Sequence, residues 1–118
     1  MQVIKMVKKA DQMKSEAAEV FKGGDYQKAI EMFEECLKMD EFNAAYNSTL
    51  LFNMAIANEK LKKNDEAIKC LTKAIKYNPK YAKAYVKRGE LYVVMEEYNE
   101  AIREFSQASE YDSTGFGV

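Results

Sequence analysis

The sequence predicts an all-α fold of three helix–turn–helix units stacked in series. The first observation behind this is composition. Lys, Glu, Ala and Met are abundant, proline occurs once, at Pro79, and there are only five glycines. These are the preferences of helices, not of strands and turns. The second observation is internal repetition. Asp25-Tyr26-Gln27-Lys28-Ala29-Ile30, Asp65-Glu66-Ala67-Ile68 and Tyr98-Asn99-Glu100-Ala101-Ile102 each place Ala-Ile after a polar turn. Ala67 and Ala101 are 34 residues apart, and Ala29 and Ala67 are 38 apart, an excess of four. Self-similarity at a fixed period marks a repeat architecture, in which each unit buries its apolar face against its neighbours.

Anchoring on the three alanines gives one domain over 1–118, with repeats at 10–43, 48–81 and 82–115. Helices are expected at roughly 4–22, 26–39, 44–63, 65–77, 82–95 and 98–111. The first begins upstream of its repeat, because the apolar stripe Val3, Met6, Val7, Ala10, Met13, Ala17, Val20 starts early. Gly23-Gly24 should stop it and Asp25 should cap the second. The second carries Ala29, Phe33 and Cys36 on one face at spacings of four and three. The four-residue excess, around residues 40–46, should lengthen the third helix at its start. Asn64-Asp65 is expected to end that helix and cap the fourth, whose inner face is Ala67, Leu71 and Ala74. Asn78-Pro79 closes the second unit. The last pair repeats the pattern with Gly89, Phe105 and Ala108. Small residues let two helices approach, and the large one fills the space beside them. The chain then runs to Gly115-Phe116-Gly117-Val118 with no polar capping helix. That reads as a domain from a larger protein, whose last layer a second copy could cover as a weak homo-oligomer.

Composition narrows the function classes. With 18 basic and 19 acidic side chains the net charge is −1, which argues against nucleic-acid binding by bulk charge. No apolar run is long enough to cross a membrane, and the N-terminus lacks the apolar core of a signal peptide. A cytoplasmic protein is expected. There is no histidine, which removes the commonest general base and metal ligand. Cys36 and Cys70 match no metal or redox spacing and read as small buried thiols. No glycine-rich phosphate loop or nucleophile motif is present, so neither an enzyme nor a cofactor is expected.

The 34-residue period, the Ala-Ile anchors, the large residues Phe33, Leu71 and Phe105, the small residues Ala17, Ala55 and Gly89, and Pro79 together resemble the tetratricopeptide repeat family. The resemblance covers essentially the whole chain. It implies a right-handed superhelical solenoid whose first, third and fifth helices line a concave groove. Counting along the repeats, the groove positions are Asp11, Lys14, Ser15 and Ala18, then Thr49, Phe52, Asn53 and Ile56, then Lys83, Val86, Lys87 and Glu90.

Lys14, Asn53, Lys83 and Lys87 are similar to the carboxylate clamp of tetratricopeptide co-chaperones, which hold the C-terminal Glu-Glu-Val-Asp tails of heat-shock proteins 70 and 90. The resemblance implies that the lysines pair with the tail's terminal carboxylate and last aspartate, and that Asn53 donates its amide there. Ala18 stands where the clamp has a second asparagine, so one donor is lost. Phe52 and Ile56 would pack the valine of the tail or an apolar residue upstream of it. Leu51-Phe52-Asn53 and Tyr81-Ala82-Lys83-Ala84-Tyr85-Val86-Lys87-Arg88 look most like the co-chaperones that also carry a DnaJ-type domain. That domain needs a His-Pro-Asp triplet, which is absent here. Against this reading stands the ordinary one, in which surface lysines are solvated and Ile56 turns into the helix–helix core.

Overall fold

The computed structural model describes residues 2–39 and 43–111, with side chains for Lys9 and from Asp11 onward. Six helices follow in order: α1 (Gln2–Lys22), α2 (Tyr26–Met39), α3 (Ala44–Lys60), α4 (Asn64–Tyr77), α5 (Ala82–Val94) and α6 (Tyr98–Tyr111). Consecutive helices pack as the pairs α1/α2, α3/α4 and α5/α6, and each pair leans on the next through α2/α3 and α4/α5. The resulting body is elongated, with principal extents of 49 × 29 × 20 Å.

The residues chosen by register form the core. Ala17, Ala29, Cys36, Ala55, Ala67, Leu71, Ala74 and Ala108 are each 0 % exposed. Ala17, Ala29, Phe33 and Cys36 pack with Leu50, Leu51 and Met54, joining the first pair to α3. Ala55, Ala67 and Leu71 pack with Ala84 and Leu91, joining the second pair to α5. At Gly89 a Cβ would stand 2.9 Å from the Phe105 ring, so any larger residue at the α5/α6 crossing would have to push that ring aside. Phe105 is half-buried, not buried like Phe33 and Leu71, because nothing covers the outer side of the last pair among the described residues. Ile102 shows the same end effect: it is 63 % exposed, whereas its counterpart Ile30 is 7 % exposed. Val94 and Tyr98, also in the last pair, are likewise exposed. The C-terminal residues Gly115–Val118, and residues 40–42 of the inter-repeat excess, lie outside the described residues.

The excess falls where expected. α3 is 17 residues long against 13 for α5, and the two end at equivalent positions, so the additional turn is at the start of α3. Asn43 caps it, its Oδ1 accepting from the Tyr46 N–H at 3.1 Å. Asp25 caps α2 likewise, accepting from the Lys28 N–H at 3.3 Å.

One boundary differs from the sequence expectation. The third helix ends at Lys60, not at residue 63, and Asn64 is already helical, so Asn64-Asp65 neither stops one helix nor caps the next. Lys63 occupies the N-cap position without a side-chain cap bond. The stop is made by backbone bonds instead. The N–H groups of Leu61, Lys62 and Lys63 donate to the carbonyls of Ala57, Glu59 and Asn58 at 3.1, 2.9 and 2.8 Å. The same pattern recurs at Gly23-Gly24-Asp25 and at Met95-Glu96-Glu97. This is the Schellman closure, which requires one left-handed residue. Gly24 (φ 90°), Lys62 (φ 62°) and Glu96 (φ 61°) are those residues, each five before its anchor alanine. Only the first is glycine, and a side chain there costs about 1–2 kcal/mol. Lys62→Gly is therefore expected to raise the unfolding free energy by about 0.5–1 kcal/mol, after the larger chain entropy of glycine is subtracted. Urea unfolding would show this as a higher midpoint at unchanged slope.

Candidate functional groove

The groove positions lie on α1, α3 and α5, with α3 in the middle. Phe52, Asn53 and Ile56 are half-buried on one face of α3. Leu51, Met54 and Asn58 lie on the opposite face and pack toward α2 and α4. Ile56 thus keeps part of its surface on the groove side instead of vanishing into the core.

Two contacts fix α5 against α3 along this face. The Phe52 and Tyr81 rings lie 5.6 Å apart, with 35° between their planes. Tyr81 immediately precedes α5, and burial pushes its hydroxyl above the usual range, opposed by a hydrogen bond with Thr49. The second contact is ionic. Lys87 Nζ lies 3.2 Å from Glu59 Oε1 on α3 and 3.7 Å from Glu90 Oε2 one turn along α5. Lys87 is 20 % exposed and Glu59 30 %, so the pair is half-shielded from water.

Lys83 is one turn before Lys87, exposed, and makes no ion pair with a described residue. Lys14 differs from both. It is only 8 % exposed, its ammonium sits 3.6 Å from the centroid of the Tyr46 ring, and Asp11 Oδ1 is 3.8 Å away. A cation on an aromatic face is held by the ring's quadrupole. The ring therefore tethers Lys14 between α1 and the additional first turn of α3. Ala18, also on α1, is half-buried and offers no donor.

Arg88, next to Lys87 in sequence, points elsewhere. Its guanidinium grips the Glu104 carboxylate of α6, with Nη2 donating to Oε1 at 3.0 Å, and reaches Thr72 of α4 at 3.1 Å. It braces the last two pairs.

Sequence reasoning missed Tyr46, Glu59 and Tyr81, each of which touches a groove residue from another element. It also missed a second cleft of about 730 Å³ between α2 and α4, floored by Leu51 and Met54 and edged by Lys38, Lys63 and Lys73. Cys70 lines that cleft and is half-buried, not fully buried as the sequence suggested, whereas Cys36 is fully buried. Burial raises both thiols above their usual range and keeps them protonated. No described helix is long and apolar enough to cross a membrane.

Comparison with known proteins places this geometry. The TPR repeat model matches residues 57–95, and the tetratricopeptide repeat model matches residues 21–43 and 82–114. The human DnaJ homolog subfamily C member 7 is 36 % identical over 101 residues, which is 86 % of this chain and 20 % of that protein. The chain thus spans about a fifth of the curated relatives it matches. Among solved structures, the second TPR domain of Spaghetti (RPAP3), bound to the HSP90 peptide SRMEEVD, superposes with a TM-score of 0.76 at 32 % identity, covering 87 % of this chain and 92 % of that one. The TPR2B domain of yeast Sti1, in complex with an Hsp70 peptide, gives 0.77 at 28 % identity, covering 89 % and 81 %. With residues of all three units matched, its six helices paired as a solenoid and nearly nine-tenths of its length superposed on such domains, the chain belongs to the tetratricopeptide repeat family.

Proposed function

We propose that the chain is a non-catalytic adaptor whose groove binds the C-terminal Glu-Glu-Val-Asp-type tail of heat-shock protein 70 and 90 chaperones, as a co-chaperone module in the cytoplasm. The observation that carries this is the juxtaposition on α3 and α5. By register, Asn53 of α3 and Lys83 and Lys87 of α5 bring one amide and two ammonium groups to the side that carries the half-buried Phe52 and Ile56. A terminal carboxylate with a neighbouring aspartate side chain matches such a set, because charge-assisted hydrogen bonds to carboxylate contribute about 1.5–3 kcal/mol each when shielded. Two solved relatives hold peptides of this kind, which supports the reading. Lys14, held on the Tyr46 ring, is the third cation.

The groove is weaker than a full clamp. Ala18 supplies no donor, and two of the three lysines already face carboxylates of this chain. An affinity on the order of micromolar follows, about −8 kcal/mol.

The test is a pair of titrations with Ser-Arg-Met-Glu-Glu-Val-Asp, once as the free acid and once amidated at its C-terminus. The free acid is expected to bind and the amide to lose at least about tenfold, equivalent to about 1.4 kcal/mol. Equal affinity for both would replace this reading with an internal-peptide groove.

A further inference from the structure

The sequence places three lysines in the groove, and the structure sets carboxylates against two of them. Asp11 faces Lys14 at 3.8 Å, and Glu59 and Glu90 face Lys87 at 3.2 and 3.7 Å. Asp11–Lys14 and Glu90–Lys87 are three residues apart on one helix, a spacing that arises readily on any exposed helix. Glu59 is different. It comes from α3, 28 residues before Lys87, and its carboxylate reaches across the α3/α5 seam to make the shorter contact. It also stands on the groove side of α3, one turn beyond Ile56.

We propose that Glu59 is a specificity-determining residue of the groove: its carboxylate occupies Lys87 as an internal competitor, and a ligand carboxylate binds by taking that place. The inference rests on the reading of the groove as a carboxylate site. Its physical basis is exchange. An ammonium with three N–H donors already shared between two carboxylates gains little from a single weak acceptor. A ligand that brings two carboxylates together, a C-terminal aspartate with its α-carboxylate and side chain, can use Lys83, which pairs with no described carboxylate, as an anchor and displace Glu59 with the other group. A C-terminus carrying one carboxylate can satisfy Lys83 alone. Glu59 therefore sets how much a second carboxylate is worth: a dianionic terminus is weakened by the exchange it must make, and an ordinary terminus is not. Because the pair is half-exposed, solvent takes part of the strain of exchange, and displacement is accessible.

The experiment compares the unmodified chain with Glu59→Gln and Glu90→Gln. Glutamine keeps the side-chain length and helix propensity at these helical positions, and thermal melting of each variant verifies the fold. Each protein is titrated with Ser-Arg-Met-Glu-Glu-Val-Asp, free and amidated, and with the free-acid peptide ending in alanine. Glu59→Gln is expected to tighten the free-acid peptide about three- to tenfold, and to do so at about 0.1 M and again at about 0.5 M salt, where distant charges are screened. It should tighten the alanine-ended peptide less, because a single carboxylate held by Lys83 does not have to displace Glu59, so the preference for the aspartate end widens. Glu90→Gln, half-exposed and farther from Lys87, should gain less than Glu59→Gln. Tail binding seen only in Glu59→Gln would also support the proposal. If the unmodified chain prefers the free acid to the amide but Glu59→Gln gains nothing, or gains equally for the amide, the competitor role is overturned while the carboxylate groove stands. If none of the three proteins distinguishes acid from amide, the groove reading fails and this inference with it.

Discussion

Leu71→Ala is expected to lower the unfolding free energy by about 3–4 kcal/mol, within the 2–5 kcal/mol seen when a buried leucine is truncated. Leu71 is 0 % exposed and sits four residues after Ala67, on the inner face of α4. It packs in the cluster that holds Ala55, Ala84 and Leu91, so it touches the seam between the second and third pairs as well as the inside of its own pair. Its neighbours are largely alanines on helices already in close approach, and such a site collapses poorly around a lost isobutyl group. The effect is large against a total stability of about 5–15 kcal/mol for a domain. It also falls on the middle of a chain of nearest-neighbour interfaces, where coupling between the end pairs must pass. Urea unfolding should show a strongly reduced midpoint, with a broadened or two-step transition as that coupling weakens. A loss below about 1 kcal/mol would mean that α4 shifts freely against α5, contrary to the packing described.

The same residue illustrates what the sequence makes legible. Leu71, Phe33 and the alanines around them recur at a fixed period, and burial follows from recurrence because each repeat solves the same packing problem. The additional turn of α3 was equally legible, since four residues had to be absorbed somewhere and a helix absorbs them at the least cost. The left-handed residues were legible only where glycine marks them. Lys62 and Glu96 carry no local sign, because the closure at those ends is imposed by backbone bonds to α3 and α5 and not by a preference of lysine or glutamate. At the groove, the residue types on the concave face follow from register, but their pairing does not. Glu59 meets Lys87 across 28 residues, and Tyr46 receives Lys14 across a seam between repeats. Such contacts depend on how far one pair rotates against the next, a quantity that period and propensity leave open. The cleft between α2 and α4 was hidden for the same reason.

The double substitution Lys83→Ala with Lys87→Ala is expected to weaken the free-acid tail peptide by about 2–3 kcal/mol, roughly 30- to 150-fold. The figure is smaller than two fully shielded charge-assisted bonds would give, because Lys83 is exposed and its contact is screened by water. The two single variants should differ, and the difference is informative. Lys83→Ala removes a cation that pairs with no described carboxylate, so its cost is the ligand contact alone. Lys87→Ala removes the ligand contact and also leaves Glu59 and Glu90 without the cation between them, facing the incoming carboxylates. Like charges brought together add a penalty to the lost attraction. Lys87→Ala is therefore expected to cost the more of the two, and the deficit should shrink when Glu59→Gln is added to it. Calorimetric titration measures each step. Stability is a clean control, since Glu59 and Glu90 are 30 % and 50 % exposed and return to water when Lys87 is gone. An unchanged affinity in the double variant would remove the groove lysines from recognition altogether. Equal single losses would leave a carboxylate site but place Lys87 outside the reach of Glu59 when ligand is bound.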